Sequence, residues 1–297
     1  MQVSRLLVVY KKSYFELYGY GKRKRHFETL KQRHSSVLQA MQLSHEENER
    51  TLMAVREALD TLGLYYDWMY RGQLDTLAGY DLILSVGGDG TLLEVARYAG
   101  RIPVLGVNSD PSRSTAFFCT ATRSTIASCL EALLAGHLHQ IPLARLQVAI
   151  NGNVLPFHAL NDILISHVNP AAMSTYTLQI DNASEGQRSS GIWIATAAGS
   201  TAAIRSAGGR ILPLQSQNRQ YLVREPYRGK NTPYQFVKGI VAPDVPMEIT
   251  SRMRRGRLFI DGPHLRYPLG LGDVLAVTIA PTPLQLIRLA RTRQRPS

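Results

Sequence analysis

The sequence is poor in cysteine and lacks any long apolar run. Its 297 residues include only Cys119 and Cys129, which have no metal-ligand spacing and offer no disulfide framework, so a reducing compartment fits. No apolar stretch approaches the ~20 residues that a membrane-spanning helix needs. The apolar run Leu6–Tyr10 is too short for a secretory signal and predicts a first buried strand instead. We therefore expect a cytoplasmic protein with no membrane partner.

Acidic residues are also scarce. The chain has 22 of them against 34 Lys and Arg, which gives a net charge of +12. Such an excess favours anionic partners, namely nucleic acid, a membrane surface or phosphorylated small molecules, although a solvated basic surface explains it equally well. The densest basic clusters are at 22–25, 252–257 and 288–295. None alternates with aromatic residues as single-strand binding requires, so nucleic acid is not expected as a partner.

What the sequence does contain is a globular composition, with 44% hydrophobic and 19% charged residues. In the first half, apolar runs alternate with segments of helical spacing. Strands are predicted at Leu6–Tyr10, 64–68, 80–86 and 103–108, and helices at 44–62, from Leu92 onward, and at 125–134. Ser44 looks like the N-cap of the first helix and Gly63 its stop. This alternation predicts an open, mainly parallel α/β sheet.

After Pro142 the pattern changes to period-two alternation with many β-branched residues. Strands are predicted at 146–150, 163–166, 175–180, 192–196, 247–250, 258–261 and 274–279. Asn151-Gly152 is a strong hairpin turn. We therefore predict an α/β domain over residues 1–142 and a mostly antiparallel β domain over 143–282, followed by a C-terminal tail over 283–297.

A glycine-rich turn, Gly87-Gly88-Asp89-Gly90-Thr91, lies between a predicted buried strand and a predicted helix. The glycines let the backbone approach a ligand closely, and the helix that follows points its free N–H groups at that ligand, which favours phosphate. The turn lacks the Gly-Lys-Ser/Thr of a Walker A loop and the spacing of the dinucleotide fingerprint. It therefore predicts a nucleotide-phosphate site of another kind.

Asp89 carries most of the chemical interest of this turn. A carboxylate inside a phosphate site is electrostatically unfavourable, and it makes sense if it accepts a hydrogen bond from a substrate hydroxyl and helps to remove the proton. Phosphoryl transfer needs mainly positioning and charge neutralisation, so one carboxylate with backbone donors and a metal-bound nucleotide suffices. The alternative is that Asp89 is an ordinary turn or cap residue.

Several ordered segments resemble the NAD kinase family. They are 84–93 around the glycine turn, Ala159-Leu160-Asn161-Asp162, 191–201, Ser206-Ala207-Gly208-Gly209, and Phe259-Ile260-Asp261-Gly262. Together they span most of residues 1–265. Segments 106–114, 188–191 and 224–226 look most like the mitochondrial-type branch, which includes NADH-preferring kinases. The chain has no mitochondrial presequence, so we interpret it as a bacterial relative.

The resemblance implies a fold, an activity and partners. The fold is an α/β domain followed by a β-sandwich-like domain, with the last residues returning to the first domain. The activity is transfer of the γ-phosphoryl group of ATP to the adenosine-ribose 2′-hydroxyl of NAD or NADH, giving NADP or NADPH. Mg²⁺ is expected to accompany ATP, since no protein metal cage is evident. A homodimer is also implied.

Site residues follow from the same resemblance. The catalytic residue is Asp89. The nucleotide phosphates are held by Gly87, Gly88, Gly90, Thr91 and, from a neighbouring subunit, Arg188. The dinucleotide is held by Phe117 (beside the adenine), Asn161, Asp162, Thr201, Ala202 and Ser206. Each has a plain structural alternative: Phe117 as a core aromatic, Asn161 as a turn residue, Thr201 and Ser206 as caps. Asp261-Gly262 is interpreted as a hairpin turn and left out of the site.

Two positions depart from the family pattern, and other functions stay open. Ala203 replaces a tyrosine, which removes one contact to the dinucleotide, and Ser190 replaces the aspartate of most bacterial members. A non-catalytic nucleotide-binding regulator is therefore one alternative. A lipid kinase of the diacylglycerol or sphingosine type is another, because Leu92-Leu93-Glu94-Val95 after the glycine turn is close to its pattern. Asn161-Asp162 argues against the lipid kinase.

Overall fold

The computed structural model describes residues 3–19, 27–28, 35–227, 229 and 233–289. The chain divides into two compact units. Unit 1 combines the residues up to Ile141 with those from Gln285 onward, and unit 2 covers Pro142–Leu284. The described residues form 19 strands, numbered here β1–β19 in chain order. Whether 1–142, 143–282 and 283–297 fold as separate domains stays a prediction.

Unit 1 is built on an open sheet. Its strands are β1 (Leu6–Tyr10), β2 (Tyr66–Tyr70), β3 (Leu82–Gly87), β4 (Val104–Asn108), β5 (Cys119–Thr122), β6 (Leu138–Leu143) and β19 (Leu284–Leu289). The order is β2-β1-β3-β4-β19-β6, with β5 also paired to β4. β1, β2, β3, β4 and β19 run parallel. Every residue of β3 and β4 is buried, as expected for parallel strands covered on both faces.

In the described part of the chain, the helices with both ends defined beside this sheet are α1 (Tyr14–Gly19), α2 (Ser35–Thr61), α3 (Asp89–Tyr98) and α4 (Ile126–Leu134). Val55 and Leu59 of α2 and Ile126 and Leu130 of α4 pack into one core with the strands. The predicted N-cap at Ser44 is wrong, because α2 begins at Ser35 and Ser44 lies inside it. The Ser44 hydroxyl instead donates a hydrogen bond of 2.7 Å to Asp110.

Unit 2 contains two antiparallel sheets. Its strands are β7 (Leu146–Ile150), β8 (Asn153–Val154), β9 (Asp162–His167), β10 (Ser174–Ile180), β11 (Ala183–Ser189), β12 (Ile192–Ala195), β13 (Arg219–Val223), β14 (Lys238–Val241), β15 (Met247–Ser251), β16 (Gly256–Ile260), β17 (Leu265–Leu269) and β18 (Val274–Ile279). The sheet orders are β11-β10-β15-β18-β7-β8 and β14-β13-β12-β9-β16-β17. A short helix, α5 (Ala203–Ser206), follows a 3₁₀ turn at Gly199–Thr201.

The two sheets of unit 2 share one hydrophobic core. Val148 and Leu178 come from the first sheet, and Ile163, Ile194 and Leu258 from the second. This is a β-sandwich-like arrangement, so the fold class predicted from the sequence is confirmed. The predicted hairpin turn is confirmed as well, since Asn151 and Gly152 both have positive φ, 51° and 81°, between the paired strands β7 and β8.

No helix in the described part of the chain has the length and apolar character needed to cross a membrane.

Candidate active site

The glycine turn of unit 1 joins β3 directly to α3. Gly88 is the N-cap, and no side chain caps the helix, so its first N–H groups stay available to a ligand. A Cβ on Gly87 would lie 2.2 Å from the Thr91 hydroxyl oxygen, so no side chain fits there. The local sequence dictates this geometry, because a buried apolar strand, two glycines and a helical apolar pattern follow each other without a gap.

Asp89 lies in the first turn of α3 and is half-buried. One carboxylate oxygen accepts the backbone N–H of Phe117 and the other that of Phe118, each at 2.9 Å. The carboxylate therefore anchors the segment before β5, where Ala116 has a φ of 41°. This anchoring role was not anticipated from the sequence. Each carboxylate oxygen can accept a further hydrogen bond, so Asp89 can still receive one from a substrate hydroxyl.

Two cations accompany the glycine turn, and the sheet topology explains why. Lys11 directly follows β1, Arg71 directly follows β2, and Gly87 ends β3. The parallel registers Tyr10↔Tyr70 and Tyr10↔Val86 bring these strand ends to one edge of the sheet. Ligands of open α/β sheets bind at this carboxyl edge.

Lys11 and Arg71 line the same cavity as the glycine turn, together with a third cation, Lys12. The cavity has a volume of about 360 Å³, and its walls include Lys11, Lys12, Arg71, Gly88 and Asp89. Burial lowers the pKa of Lys11, and the nearby charge of Arg71 lowers it further, whereas Asp110 opposes the shift. Positive charges held close together in this way suit a polyanion.

The Arg71 guanidinium is held in place by the glycine-turn helix itself. Its Nε lies 3.1 Å from Glu94 Oε2, and its Nη1 donates to the Thr91 hydroxyl at 3.4 Å. Lys11 and Arg71 were not among the residues selected from the sequence. The available signal was their position just after two predicted strands of a parallel sheet, Lys11 one residue after Leu6–Tyr10 and Arg71 three residues after 64–68.

Phe117 adjoins Asp89 through its backbone and is half-buried, so the simple core-aromatic alternative does not fully describe it. The Arg288 guanidinium lies 5.3 Å from the centre of its ring and also donates to its carbonyl oxygen. Unit 1 thus brings together Gly87, Gly88, Asp89, Gly90, Thr91 and Phe117.

In unit 2 the segment around Asn161 is tied to the glycine-containing segment after β12. The Thr196 backbone N–H donates to Asn161 O at 2.9 Å, and its hydroxyl donates to Leu160 O at 2.5 Å. The same hydroxyl accepts the N–H of Gly199 at 3.0 Å. The two predicted motifs, 159–162 and 191–201, therefore form one hydrogen-bonded structure, and the Asn161 Oδ1 atom is buried with no partner among the described residues.

Replacing Gly199 by Ala is expected to disrupt this structure. An added Cβ would lie 1.9 Å from the Asn161 carbonyl oxygen, which is backbone and cannot rotate away. We expect a loss of about 3 kcal/mol in the free energy of unfolding, measured by denaturant titration. Gly270→Ala is the matched control, because its nearest contact would be an ordinary 3.5 Å to Asp273 Oδ2. Equal stability of the two variants would contradict the packing argument.

Asp261, predicted from the sequence as a turn residue only, is a further part of this structure. It does form the predicted turn after β16, but its carboxylate also accepts the backbone N–H groups of Leu160 and Asn161, both at 2.8 Å, and of Asp162 at 3.2 Å. The contact spans about a hundred residues of sequence, so no local pattern could have signalled it.

Asp162 is a buried carboxyl group with a strongly raised pKa. Its side chain is buried, and burial together with the negative charge of Asp261 raises its pKa to about 7 from the usual 3.8. A buried carboxyl group that titrates near neutral pH is characteristic of functional sites.

The same shift predicts that Asp162→Asn stabilises the protein at alkaline pH. The pKa of Asp162 is higher in the folded than in the unfolded protein, so ionisation of Asp162 destabilises the fold. The protein has its full stability below about pH 4, where Asp162 is protonated in both states, and loses stability as the pH rises through 7. At pH 8 the variant should gain on the order of 2–4 kcal/mol in unfolding free energy. Denaturant titrations at pH 8 and pH 5 measure this gain. A gain that does not shrink at pH 5 would disprove the cause given.

The remaining predicted dinucleotide residues follow Gly199. Thr201 ends the 3₁₀ turn, where its hydroxyl donates to Ala198 O at 3.2 Å, as its capping alternative expects. Ala202 is half-buried, and Ala203 and Ser206 are exposed at the two ends of α5. Their roles toward a dinucleotide stay predictions.

Arg188 is placed elsewhere in unit 2, exposed on the edge strand β11. Its guanidinium lies 5.0 Å from the ring centre of Tyr227 and its Nε 3.2 Å from Met173 Sδ. It lines a cavity of about 570 Å³ with Arg252 and Tyr234, and among the described residues Asn161, Asp162 and Thr201 are not part of that lining.

A glycine turn that opens a helix, a carboxylate in its first turn and cations at the same sheet edge are features that suit phosphate, as in the sites that kinases use. Residues 20–138 match the family model described as ATP-NAD kinase N-terminal domain. The chain is 38% identical over 220 residues to "Probable NADH kinase" of Oryza sativa subsp. japonica, which covers 67% of this chain and 68% of that protein. It is 33% identical over 221 residues to "NADH kinase" of Arabidopsis thaliana, with 67% and 69% covered.

The fold agrees with these sequence matches. The crystal structure of an NAD kinase from Archaeoglobus fulgidus in complex with ATP superposes with a TM-score of 0.66 and 19% identity, over 97% of this chain and 94% of that one. The chain belongs to the NAD kinase family.

Proposed function

We propose that this protein is an NAD/NADH kinase, which transfers the γ-phosphoryl group of ATP to the adenosine-ribose 2′-hydroxyl of NAD or NADH and forms NADP or NADPH. The observation that carries the proposal is the cavity of unit 1, where Asp89 lies among the glycine turn, Lys11 and Arg71. Family membership supplies the substrates.

The proposed reaction uses the glycine turn for the donor. The free N–H groups at the start of α3 and the cations Lys11 and Arg71 bind the phosphates of ATP and neutralise charge as the phosphoryl group moves. Mg²⁺ enters as part of the nucleotide substrate. In the described part of the chain, no cluster of three or more His, Cys, Asp or Glu side chains is arranged to hold an ion.

Asp89 is the proposed catalytic residue. It accepts a hydrogen bond from the 2′-hydroxyl, orients it for in-line attack on the γ-phosphorus and takes its proton. The two backbone N–H groups that it already binds fix the carboxylate, so little reorganisation is needed when the substrate arrives. In unit 2, Asn161 and Asp162, with Thr201, Ala202 and Ser206, bind the dinucleotide.

The branch, the assembly and the compartment are further parts of the proposal. The rice and Arabidopsis relatives are named for NADH, which supports use of the reduced dinucleotide and a place near the mitochondrial-type branch. Arg188, exposed on the edge strand β11, is proposed to reach a phosphate in the site of a second subunit of a homodimer. A cytoplasmic location also stays a prediction.

A coupled assay tests the function directly. Purified protein is incubated with Mg-ATP and either NAD or NADH, and NADP or NADPH is detected with an NADP-specific dehydrogenase. Product that disappears in Asp89→Asn supports the kinase, and the ratio of rates gives the redox preference. Nucleotide binding without product supports a non-catalytic regulator, and phosphorylation of a lipid acceptor in its place supports the lipid kinase.

A further inference from the structure

The turn after β16 is built around one strained aspartate. Asp261 has a φ of 47°, in the left-handed region that non-glycine residues adopt at a cost. It is 8% exposed, and its carboxylate accepts three consecutive backbone N–H groups from residues 160–162. Its own N–H donates to Asp162 O at 3.0 Å. A hairpin turn alone needs none of these contacts, so the strain serves the segment that carries Asn161 and Asp162.

The charge of Asp261 acts on that segment as well as its hydrogen bonds. The buried Asp162 is adjacent, and burial followed by the Asp261 charge raises its pKa. Burial lowers the pKa of Arg145, which is 2% exposed, whereas the charge of Asp261 raises it; burial and then the charge of Arg145 lower the pKa of His158. In the strand pairing of β12 with β9, the residue opposite Asp162 is the uncharged Ala195.

We propose that Asp261 is a positioning residue for the dinucleotide: it fixes the backbone of residues 160–162, and its charge governs whether Asp162 is ionised and able to accept hydrogen bonds from ribose hydroxyls. The proposal rests on the proposed function for the identity of the ligand. An ionised carboxylate accepts hydrogen bonds from ribose hydroxyls with both of its oxygen atoms. A protonated carboxyl group has a smaller capacity to accept them.

The pH dependence of binding follows from the protonation of Asp162. If only the ionised form binds, affinity scales with the ionised fraction, which rises about tenfold between pH 6 and pH 8 for a group with a pKa near 7. Burial, followed by the charge of Arg145, lowers the pKa of His158 and so favours its neutral form. Affinity for NADH should therefore weaken about tenfold from pH 8 to pH 6.

Asp261→Asn separates positioning by charge from a purely structural role. Asparagine tolerates the left-handed backbone and keeps one acceptor oxygen, but it removes the negative charge. We expect weaker NADH binding, together with a shift of the pH midpoint to lower pH by about one unit. If Asp261 only held the backbone in place, Asp261→Asn would weaken binding but leave the pH midpoint unchanged. Asp261→Glu, which keeps the charge, should keep the wild-type midpoint.

The experiment is a fluorescence titration of the full chain with NADH from pH 6 to pH 8.5. Asp273→Asn is the matched control, because Asp273 also accepts a turn N–H, from Gly270 at 2.6 Å, and its pKa is lowered out of this range. Its midpoint should equal that of the wild type, and Asp162→Asn should remove the dependence.

Two results overturn the proposal: wild-type affinity that does not fall between pH 8 and pH 6, or an Asp261→Asn midpoint equal to that of the wild type. If Asp261→Asn does not fold, the pH dependence of NADH affinity is compared between the wild type and Asp162→Asn. Equal pH profiles for these two proteins overturn the proposal. Binding needs no turnover, so a pH-dependent NADH titration without NADPH formation counts against the kinase activity alone.

Discussion

Replacing Asp89 by Asn is expected to lower kcat by about 10²–10⁴, the usual effect of losing a general base. Asparagine keeps the size of the side chain but cannot take the proton of a 2′-hydroxyl. It also lacks one of the two acceptors for the backbone N–H groups of Phe117 and Phe118. Steady-state rates with Mg-ATP and saturating NAD or NADH measure the effect.

Asp89 is both the proposed general base and an acceptor for two backbone N–H groups, so a loss of activity in Asp89→Asn has to be separated from a loss of folded structure. Loss of one backbone hydrogen bond should lower the free energy of unfolding by about 1 kcal/mol, which leaves the protein folded and able to bind nucleotide. Asp81→Asn provides a comparable small change, because the Asp81 carboxylate also accepts two backbone N–H groups, of Ser4 at 2.8 Å and Arg5 at 2.9 Å, and is not among the described residues that line the cavity. If kcat of Asp89→Asn stays within threefold of the wild type while the variant is folded, the catalytic assignment is wrong.

Replacing Lys11 by Met is expected to lower kcat/KM for ATP by about 10²–10³. This is the usual effect of losing one group that stabilises the charge developing in the transition state. Methionine keeps an unbranched apolar side chain of nearly the same length and removes the ammonium group, with its charge, from the cavity. Because the ligand is the donor phosphate, the KM for ATP should rise while the Kd for NADH changes little. Initial rates over a range of Mg-ATP concentrations measure this.

Arg101→Met is the matched control for Lys11→Met. Arg101 is exposed and precedes β4, so it lies at the amino edge of the parallel sheet, whereas the glycine turn lies at the carboxyl edge. Removing its charge should leave kcat/KM within about twofold, since exposed charges more than a Debye length away are screened. If both variants lose activity equally, net charge rather than the position of Lys11 explains the effect.

The parts of the fold that the sequence predicted well are those that local physics decides. The strand–glycine–helix unit at 82–98 follows from an apolar run, glycines without Cβ atoms and a 3.6-residue period. The β7–β8 hairpin follows from Asn-Gly. Strand β11 was not predicted, because its sequence shows no alternation of apolar residues and even its two buried side chains, Gln187 and Ser189, are polar. The start of α2 was predicted too late in the chain, because Ser44 and the acidic residues after it resemble an N-cap.

The parts of the site that the sequence could not supply depend on distant pairing. Lys11 and Arg71 reach the glycine turn only because β1 lies between β2 and β3, an order that no local pattern specifies. Asp261 holds Asn161 across about a hundred residues. The assignments of Arg188, Thr201 and Ser206 came from family resemblance, and they stay predictions until the variants are measured.

The position of β19 has a consequence for how the protein is made. Leu284–Leu289 runs between β4 and β6 inside the sheet of unit 1, and Leu284, Leu286 and Ile287 are fully buried. During synthesis, β6 leaves the ribosome without the strand that joins it to β4, because that strand is translated after all of unit 2. Until then β6 has no neighbour on that side, and β4 is covered there only by its pairing with β5 over Gly106–Asn108. The nascent chain therefore carries exposed strand edge for more than a hundred residues of elongation, a period in which chaperone binding or aggregation competes with folding.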